Sequence, residues 1–212
     1  MNIALNIALL ILAAYLMGSI PTAVWVSQKL YGIDIREHGS GNAGATNTFR
    51  VLGSKAGTGV MVVDMLKGFL AVKLSLLSGY GWQSEAITNL QVFLGLAAVV
   101  GHIFPIWADF RGGKGIATLF GMILSIQPAV ALSLVGVFLF MLFLTRYVSL
   151  SSIVASIAFP LLILFIFREP EVTYKVFAIA TALMVILTHH KNINRLLQGN
   201  ESKVKLRKKD RK

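Results

Sequence analysis

The chain has 212 residues, 56% of them hydrophobic and only 14% charged, with a mean hydropathy of +0.73. An average soluble domain carries roughly 25% charged residues, and a soluble chain this short has no core large enough to hide so much apolar surface, so soluble globular and disordered classes are excluded. Lys and Arg number 20 against 9 Asp and Glu, and residues 191–212 alone hold nine basic and two acidic side chains, while the absence of Cys excludes a disulfide framework and a thiol nucleophile.

A membrane-spanning helix takes about 20 mainly apolar residues. In chain order the candidate segments are 3–30, 56–79, 88–107, 129–145, 148–167 and 172–190. The first 28 residues hold no charged side chain, unlike the positively charged start of a secretory signal, so the first segment reads as a retained helix. A further apolar stretch, 116–126, ends at Gln127-Pro128. At ~1.5 Å per residue it reaches about 16 Å and is too short to span alone. It is either a half-helix or the first part of a segment broken at Pro128.

The fold class expected is an all-α integral membrane protein with about seven transmembrane helices, one of them short. Basic residues gather on the cytoplasmic side. The basic linkers 31–55 and 108–115, Arg146 and the tail then lie inside, and the N-terminus lies outside. Arg168 and Lys175 fall on the outer side, a mild breach offset by Glu169 and Glu171. Residues 1–190 are read as one membrane domain and 191–212 as a basic cytoplasmic tail, whose final polybasic run is explained by attraction to anionic lipid.

Three segments have the makings of a site. In 36–50, REHGSGNAGATNTFR, the glycines Gly39, Gly41 and Gly44 let a ligand approach the backbone. Ser40, Asn42, Thr46 and Asn47 supply neutral donors, and Arg36 and Arg50 bracket them. Such a set suits a phosphate; a glycine-rich turn with basic anchors is the plainer alternative. In 110–118, FRGGKGIAT, Gly112, Gly113 and Gly115 precede an apolar helix, whose free N–H groups and dipole favour an anion beside Lys114. The spacing is not that of a nucleotide-binding P-loop, because Ala108 stands where that motif needs Gly and Gly115 where it needs Ser or Thr. A flexible basic turn remains the alternative here.

In the third segment, 188–203, His189 and Asn192 share a face if the helix continues, as do Asn192 and Arg195. Gly199 is placed to stop that helix. His189 is a candidate donor or base, with a dipole and headgroup partner as the bland alternative. Within the spans, Asp64 and Lys67 are expected to pair with each other, and His102 to be a satisfied packing residue. No metal-ligand cluster is visible.

Together these segments closely resemble the PlsY family of acyl-phosphate-dependent glycerol-3-phosphate acyltransferases. The resemblance rests on GSGNAGATNTFR at 39–50, RGGKGIAT at 111–118 and HHKNINRLLQGNESK at 189–203. GSIPTA at 18–23, DMLKG at 64–68 and GHIFPIW at 101–107 extend it over nearly the whole chain. Ala43 lies where many relatives have Pro, and Arg111 where Lys is common.

The resemblance implies a seven-helix bacterial inner-membrane enzyme, its site at the cytoplasmic face. It implies transfer of an acyl chain from acyl-phosphate to the sn-1 hydroxyl of glycerol 3-phosphate, giving lysophosphatidic acid and phosphate. No cofactor, metal or nucleic acid is implied; membrane lipids surround the protein, and the enzyme that forms acyl-phosphate is a candidate partner. Carried over residue by residue, Ser40, Arg50, Lys114, His189 and Asn192 are the catalytic set. Gly112, Gly113 and Gly115 form the glycerol-3-phosphate loop, and Glu201 is an acid needed for structure.

The activated carbonyl of an acyl-phosphate asks mainly for positioning and for stabilisation of developing charge. Backbone N–H groups near Ser40 or within 112–115 are candidate oxyanion donors. The base is His189 or a substrate phosphate oxygen, and no acyl-Ser40 intermediate is expected. A transporter of phosphorylated metabolites is the main rival and would also use a broken helix. It calls for a polar path through the membrane and a repeat, and neither is evident. A lipid-binding scaffold explains the tail but not the three motifs.

Overall fold

The computed structural model describes residues 3–81 and 84–204; most of the polybasic tail lies outside the described residues. Among the described residues the regular structure is helical throughout. The helices are α1 (Ile3–Gly18), α2 (Thr22–Tyr31), α3 (Ala45–Leu52), α4 (Ser54–Lys73), α5 (Glu85–Ile103), α6 (Ile116–Ile126), α7 (Pro128–Thr145), α8 (Val148–Leu161), α9 (Val172–Thr188) and α10 (His190–Leu197).

Residues 3–30 are not one helix, as the sequence reading had them. Pro21 has no N–H to donate, so the segment breaks at Ser19–Pro21 and restarts as α2. The 172–190 segment likewise stops at Thr188 and bends by 60° into α10. At Gln127 the backbone leaves helical geometry and Pro128 opens α7 at its first position, where a proline costs nothing. Residues 116–126 therefore form a short helix of their own, broken from α7 at Gln127–Pro128.

Four segments are long and apolar enough to cross a membrane, Ile3–Tyr31, Glu85–Ala108, Pro128–Thr145 and Val148–Ile166, and the bent pair α9–α10 makes a fifth. Helix α4 has spanning length, 20 residues, but carries Lys55, Asp64, Lys67 and Lys73. The surface is inverted relative to a soluble protein. Phe143 is 84% exposed and Leu132 64%, the mark of a lipid-facing belt.

Close helix packing rests on small residues, as expected where lipid supplies no hydrophobic drive between helices. A Cβ on Gly18 would collide with the Ala98 backbone, and one on Gly101 with the Tyr15 carbonyl, so α1 and α5 meet main chain to main chain. Gly68 against Thr118 and Gly121 against Met65 do the same for α4 and α6. The buried side chains of α5, α6, α7, α8 and α9 form the main apolar core. At its centre the ring of Phe159 stands edge-on to Tyr174 at 6.0 Å and to Phe177 at 5.5 Å.

The result is a bundle with two unlike ends. At one end Asn6 donates to the Leu77 carbonyl at 3.0 Å and Gln127 to Glu169 at 3.0 Å. The other end gathers the loops before α3 and α6, the α7–α8 turn and the segment after α9.

Candidate functional site

The first glycine loop is shaped by a buried asparagine. Asn47, on α3, accepts from the Ser40 N–H at 2.9 Å and donates to the carbonyls of His38 at 2.9 Å and Ile35 at 3.1 Å. Its amide is fully spent on the loop, so it acts behind Ser40 rather than toward a ligand. Gly39 and Gly41 take the left-handed backbone, φ 62° and 72°, which an L side chain rarely tolerates. Ser40, Thr46 and Arg50 are exposed, and their side chains have no hydrogen-bond or ion-pair partner among the described residues.

Arg36 does not stand free beside them. Its guanidinium grips Asp34 at 2.7–3.1 Å and donates to the Ala108 carbonyl at 3.0 Å. The hydrogen bond from Arg36 holds the Asp34 carboxyl below its ordinary value and raises the guanidinium in turn. Arg36 therefore joins the two glycine loops, and Arg50 is left as the free cation of the first.

The second loop folds back on the end of α5. The N–H groups of Gly112 and Gly113 donate to the carbonyls of Ile103 and His102, both at 3.1 Å. A Cβ on Gly112 would strike the His102 carbonyl, and one on Gly113 the His102 ring. Gly112→Ala must push the loop off α5, and a lowered Tm in detergent is the expected result; thermal unfolding beside the wild type checks it.

The oxyanion expectation is narrowed accordingly. The N–H groups of Ser40, Gly112 and Gly113 are committed inside the protein. What stays open is the first turn of α6, after Gly115 in the left-handed conformation at φ 78°, and the first turn of α3 after Gly44. A Cβ on Gly44 would come within 4.0 Å of Gly113 Cα, so the two helix N-termini converge. Asn42 lies against Gly44 at this junction.

Lys114 closes the site toward the third segment. Its ammonium donates to the Asn192 side-chain oxygen. The Asn192 amide donates to Glu201 at 2.8 Å, and Glu201 also accepts from Ser149 at 2.9 Å and from Arg195 at 2.7 Å. Burial pushes Lys114 down to about 8, with Glu201 opposing and Arg195 and Arg50 assisting. Burial alone would raise the Glu201 carboxyl, but hydrogen bonds from Arg195, Asn192 and Ser149 hold it below its ordinary value. With Arg195 paired to Glu201, Lys114 and Arg50 are left as neighbouring cations that an anion would neutralise.

His189 is buried at the α9–α10 bend, so the continuous helix imagined for 188–197 is replaced by a corner. Asn192 still bonds back to it, its N–H to the His189 carbonyl at 2.8 Å. The ring nitrogen Nδ1 lies 2.8 Å from the Val185 carbonyl. A carbonyl only accepts, so Nδ1 carries the proton and Nε2 is the acceptor. Gly199 takes φ 71° and ends the α10 turn, as expected.

Asp64 and Lys67 do pair, at 2.7 Å, and His102 bonds Thr118 at 3.1 Å. Sequence reasoning missed Ser149 as a partner of Glu201. The only signal was the cluster Ser149, Ser151 and Ser152 in the first turns of a largely apolar helix.

The glycerol-3-phosphate acyltransferase family model matches residues 8–199. A glycerol-3-phosphate acyltransferase of Geobacillus kaustophilus is 47% identical over 93% of this chain and 96% of its own length. One of Chlorobium phaeobacteroides is 37% identical over 95% and 97%. The solved structure of PlsY, an integral membrane glycerol 3-phosphate acyltransferase, in its glycerol 3-phosphate form superposes with a TM-score of 0.83 at 41% identity, covering 94% of this chain and 96% of that one. Its lysophosphatidic acid form gives 0.80. With the match running through every helix that frames the converging loops, the chain belongs to the glycerol-3-phosphate acyltransferase family of integral membrane enzymes.

Proposed function

We propose that this protein transfers an acyl chain from acyl-phosphate to the sn-1 hydroxyl of glycerol 3-phosphate, releasing phosphate and 1-acyl-glycerol 3-phosphate, the first step of phospholipid synthesis. The observation that carries this reading is the junction of two glycine loops and two helix N-termini beside Lys114 and Arg50. Both substrates bear phosphate, and this junction is cationic at the side-chain and backbone levels together. The acyl chain stays in lipid while the headgroups react in the cytoplasm. Seven crossings of a bacterial inner membrane, with the N-terminus outside, put the junction on that side.

The glycerol hydroxyl oxygen attacks the acyl carbonyl carbon, and the bond from that carbon to the phosphate oxygen breaks. Lys114 and Arg50 neutralise the substrate phosphate and the departing one, and the open N–H groups at the start of α6 face the developing oxyanion. The hydroxyl proton goes to His189 Nε2 or to a phosphate oxygen. Ser40 Oγ has no base beside it among the described residues, which supports direct transfer without an acyl-enzyme; recovery of an acylated Ser40 peptide would contradict it.

Lys114 must be protonated to hold phosphate, and its charge is lost as pH rises through about 8. The expected pH profile is a decline of kcat/KM above pH 8 that moves to higher pH in Lys114→Arg, whose guanidinium keeps its proton. The reading itself is tested with purified protein, labelled glycerol 3-phosphate and either palmitoyl-phosphate or palmitoyl-CoA. Lysophosphatidic acid from the phosphate donor alone supports it. Product from the CoA donor would leave an acyltransferase of another donor class. Glycerol 3-phosphate binding without product from either donor would favour a transporter.

A further inference from the structure

Helix α4 carries an ion pair that an apolar span does not need. Lys67 and Asp64 are 5% and 1% exposed, and such groups within a membrane bundle are costly unless they serve a purpose. Lys67 does more than neutralise Asp64. Its Nζ donates to the Ile20 carbonyl at 2.6 Å and the Gly18 carbonyl at 3.4 Å, two acceptors in the Gly18–Thr22 break between α1 and α2.

From that turn a chain of bonds runs to the first glycine loop. Helix α2 holds Ser27, whose Oγ accepts from the Ile35 N–H at 3.2 Å. The Ile35 carbonyl accepts from Asn47, and Asn47 accepts from the Ser40 N–H. On the other side, Asp64 lies 3.8 Å from His102 Nδ1. The His102 carbonyl holds the Gly113 N–H, and its ring packs against Gly113. Asp64, Lys67 and His102 line one small pocket together with Pro21, Ala43 and Gly112, so the charged groups border residues of both loops.

We propose that Lys67, held by Asp64, is a positioning residue for glycerol 3-phosphate: it pins the α1–α2 break and thereby sets the spacing of the two phosphate loops. This rests on those loops holding phosphate, as argued above. Lys67 bonds only to Asp64 and to the α1–α2 break, so its effect reaches the substrate through the loops and is read first as a rise in KM for glycerol 3-phosphate.

The test separates positioning from simple ion-pair stability. Lys67→Met alone strands the Asp64 carboxylate and is expected to lower Tm in detergent. The double variant Asp64→Asn/Lys67→Met removes both charges, and loss of a buried pair together is commonly neutral for stability. Its Tm is expected to return toward wild type while KM for glycerol 3-phosphate stays raised about tenfold or more and kcat changes less than about threefold. A folded double variant with wild-type KM, or one losing kcat at constant KM, overturns the proposal.

Ser27→Ala guards against a double variant that does not fold. It leaves the ion pair whole and cuts the chain nearer the loop, so KM must rise there too; an unchanged KM also overturns the proposal. Lys114→Ala is run alongside. If it keeps wild-type affinity for glycerol 3-phosphate, the phosphate-loop reading fails independently of what the Lys67 variants do.

Discussion

Lys114→Ala is expected to lower kcat/KM for glycerol 3-phosphate by about 10²–10³, the usual loss when one donor to developing negative charge is removed from a water-poor site. Three features make this side chain hard to replace. It sits directly before the open N-terminus of α6, so its charge adds to the helix dipole. Its ammonium is held toward the junction by Asn192, which limits the freedom a lysine would otherwise lose on binding. The other unpaired cation that acts on it, Arg50, stands on α3 beyond the first glycine loop, so neither covers for the other. Arg195 cannot move in as a substitute because Glu201 holds it at 2.7 Å. Parallel kinetics of Lys114→Ala and Lys114→Arg check this: the arginine variant keeps the charge and is expected to lose far less than the alanine variant.

Glu201→Ala is expected to cost about 3–5 kcal/mol of stability, the range for removing one partner of a buried charge network. Ser149, Asn192 and Arg195 all donate to this carboxylate. Its loss leaves three buried or half-buried donors unpaired, and α8, α10 and the Lys114 loop lose their common anchor. The effect on turnover would follow through Asn192, which links Glu201 to Lys114. The network also has a pH signature. The folded carboxyl sits below its ordinary value, so its stabilisation is full above the ordinary glutamate range. It is lost as pH falls through the lower folded value. Thermal unfolding in detergent from pH 7 downward checks both points, with the alanine variant expected to lack that acid limb.

Much of this was legible in the sequence because it is written in local chemistry. Long apolar runs declare spans, and a Gly-Gly-Lys-Gly before an apolar helix declares an anion-favouring N-terminus. The pairing of Asp64 with Lys67 follows from a three-residue spacing on a helix, and the shortness of α6 from Pro128.

What was not legible depends on where a side chain's partner comes from. Asn47 looked like one more donor for a ligand, yet its partners are backbone groups 7 to 12 residues earlier, reached only once the loop has closed. Arg36 resembled Arg50 until the fold placed it between Asp34 and the Ala108 carbonyl. The glycines at 112 and 113 read as ligand contacts, whereas their N–H groups are spent on α5 and their missing side chains make room for His102. The break at Ser19–Pro21 lay hidden in an uninterrupted hydropathy profile, since proline is apolar and only its missing N–H matters there.

The most direct test of the phosphate junction is an equilibrium titration without any acyl donor, comparing glycerol 3-phosphate with glycerol on wild-type protein and on Lys114→Ala. Saturable binding of glycerol 3-phosphate but not glycerol, weakened at least about tenfold in the variant, a difference of roughly 1.4 kcal/mol, is the expected result. Equal affinity of wild type and variant, or binding of glycerol as tight as that of its phosphate, would contradict the assignment of the two glycine loops and Lys114 as the phosphate site.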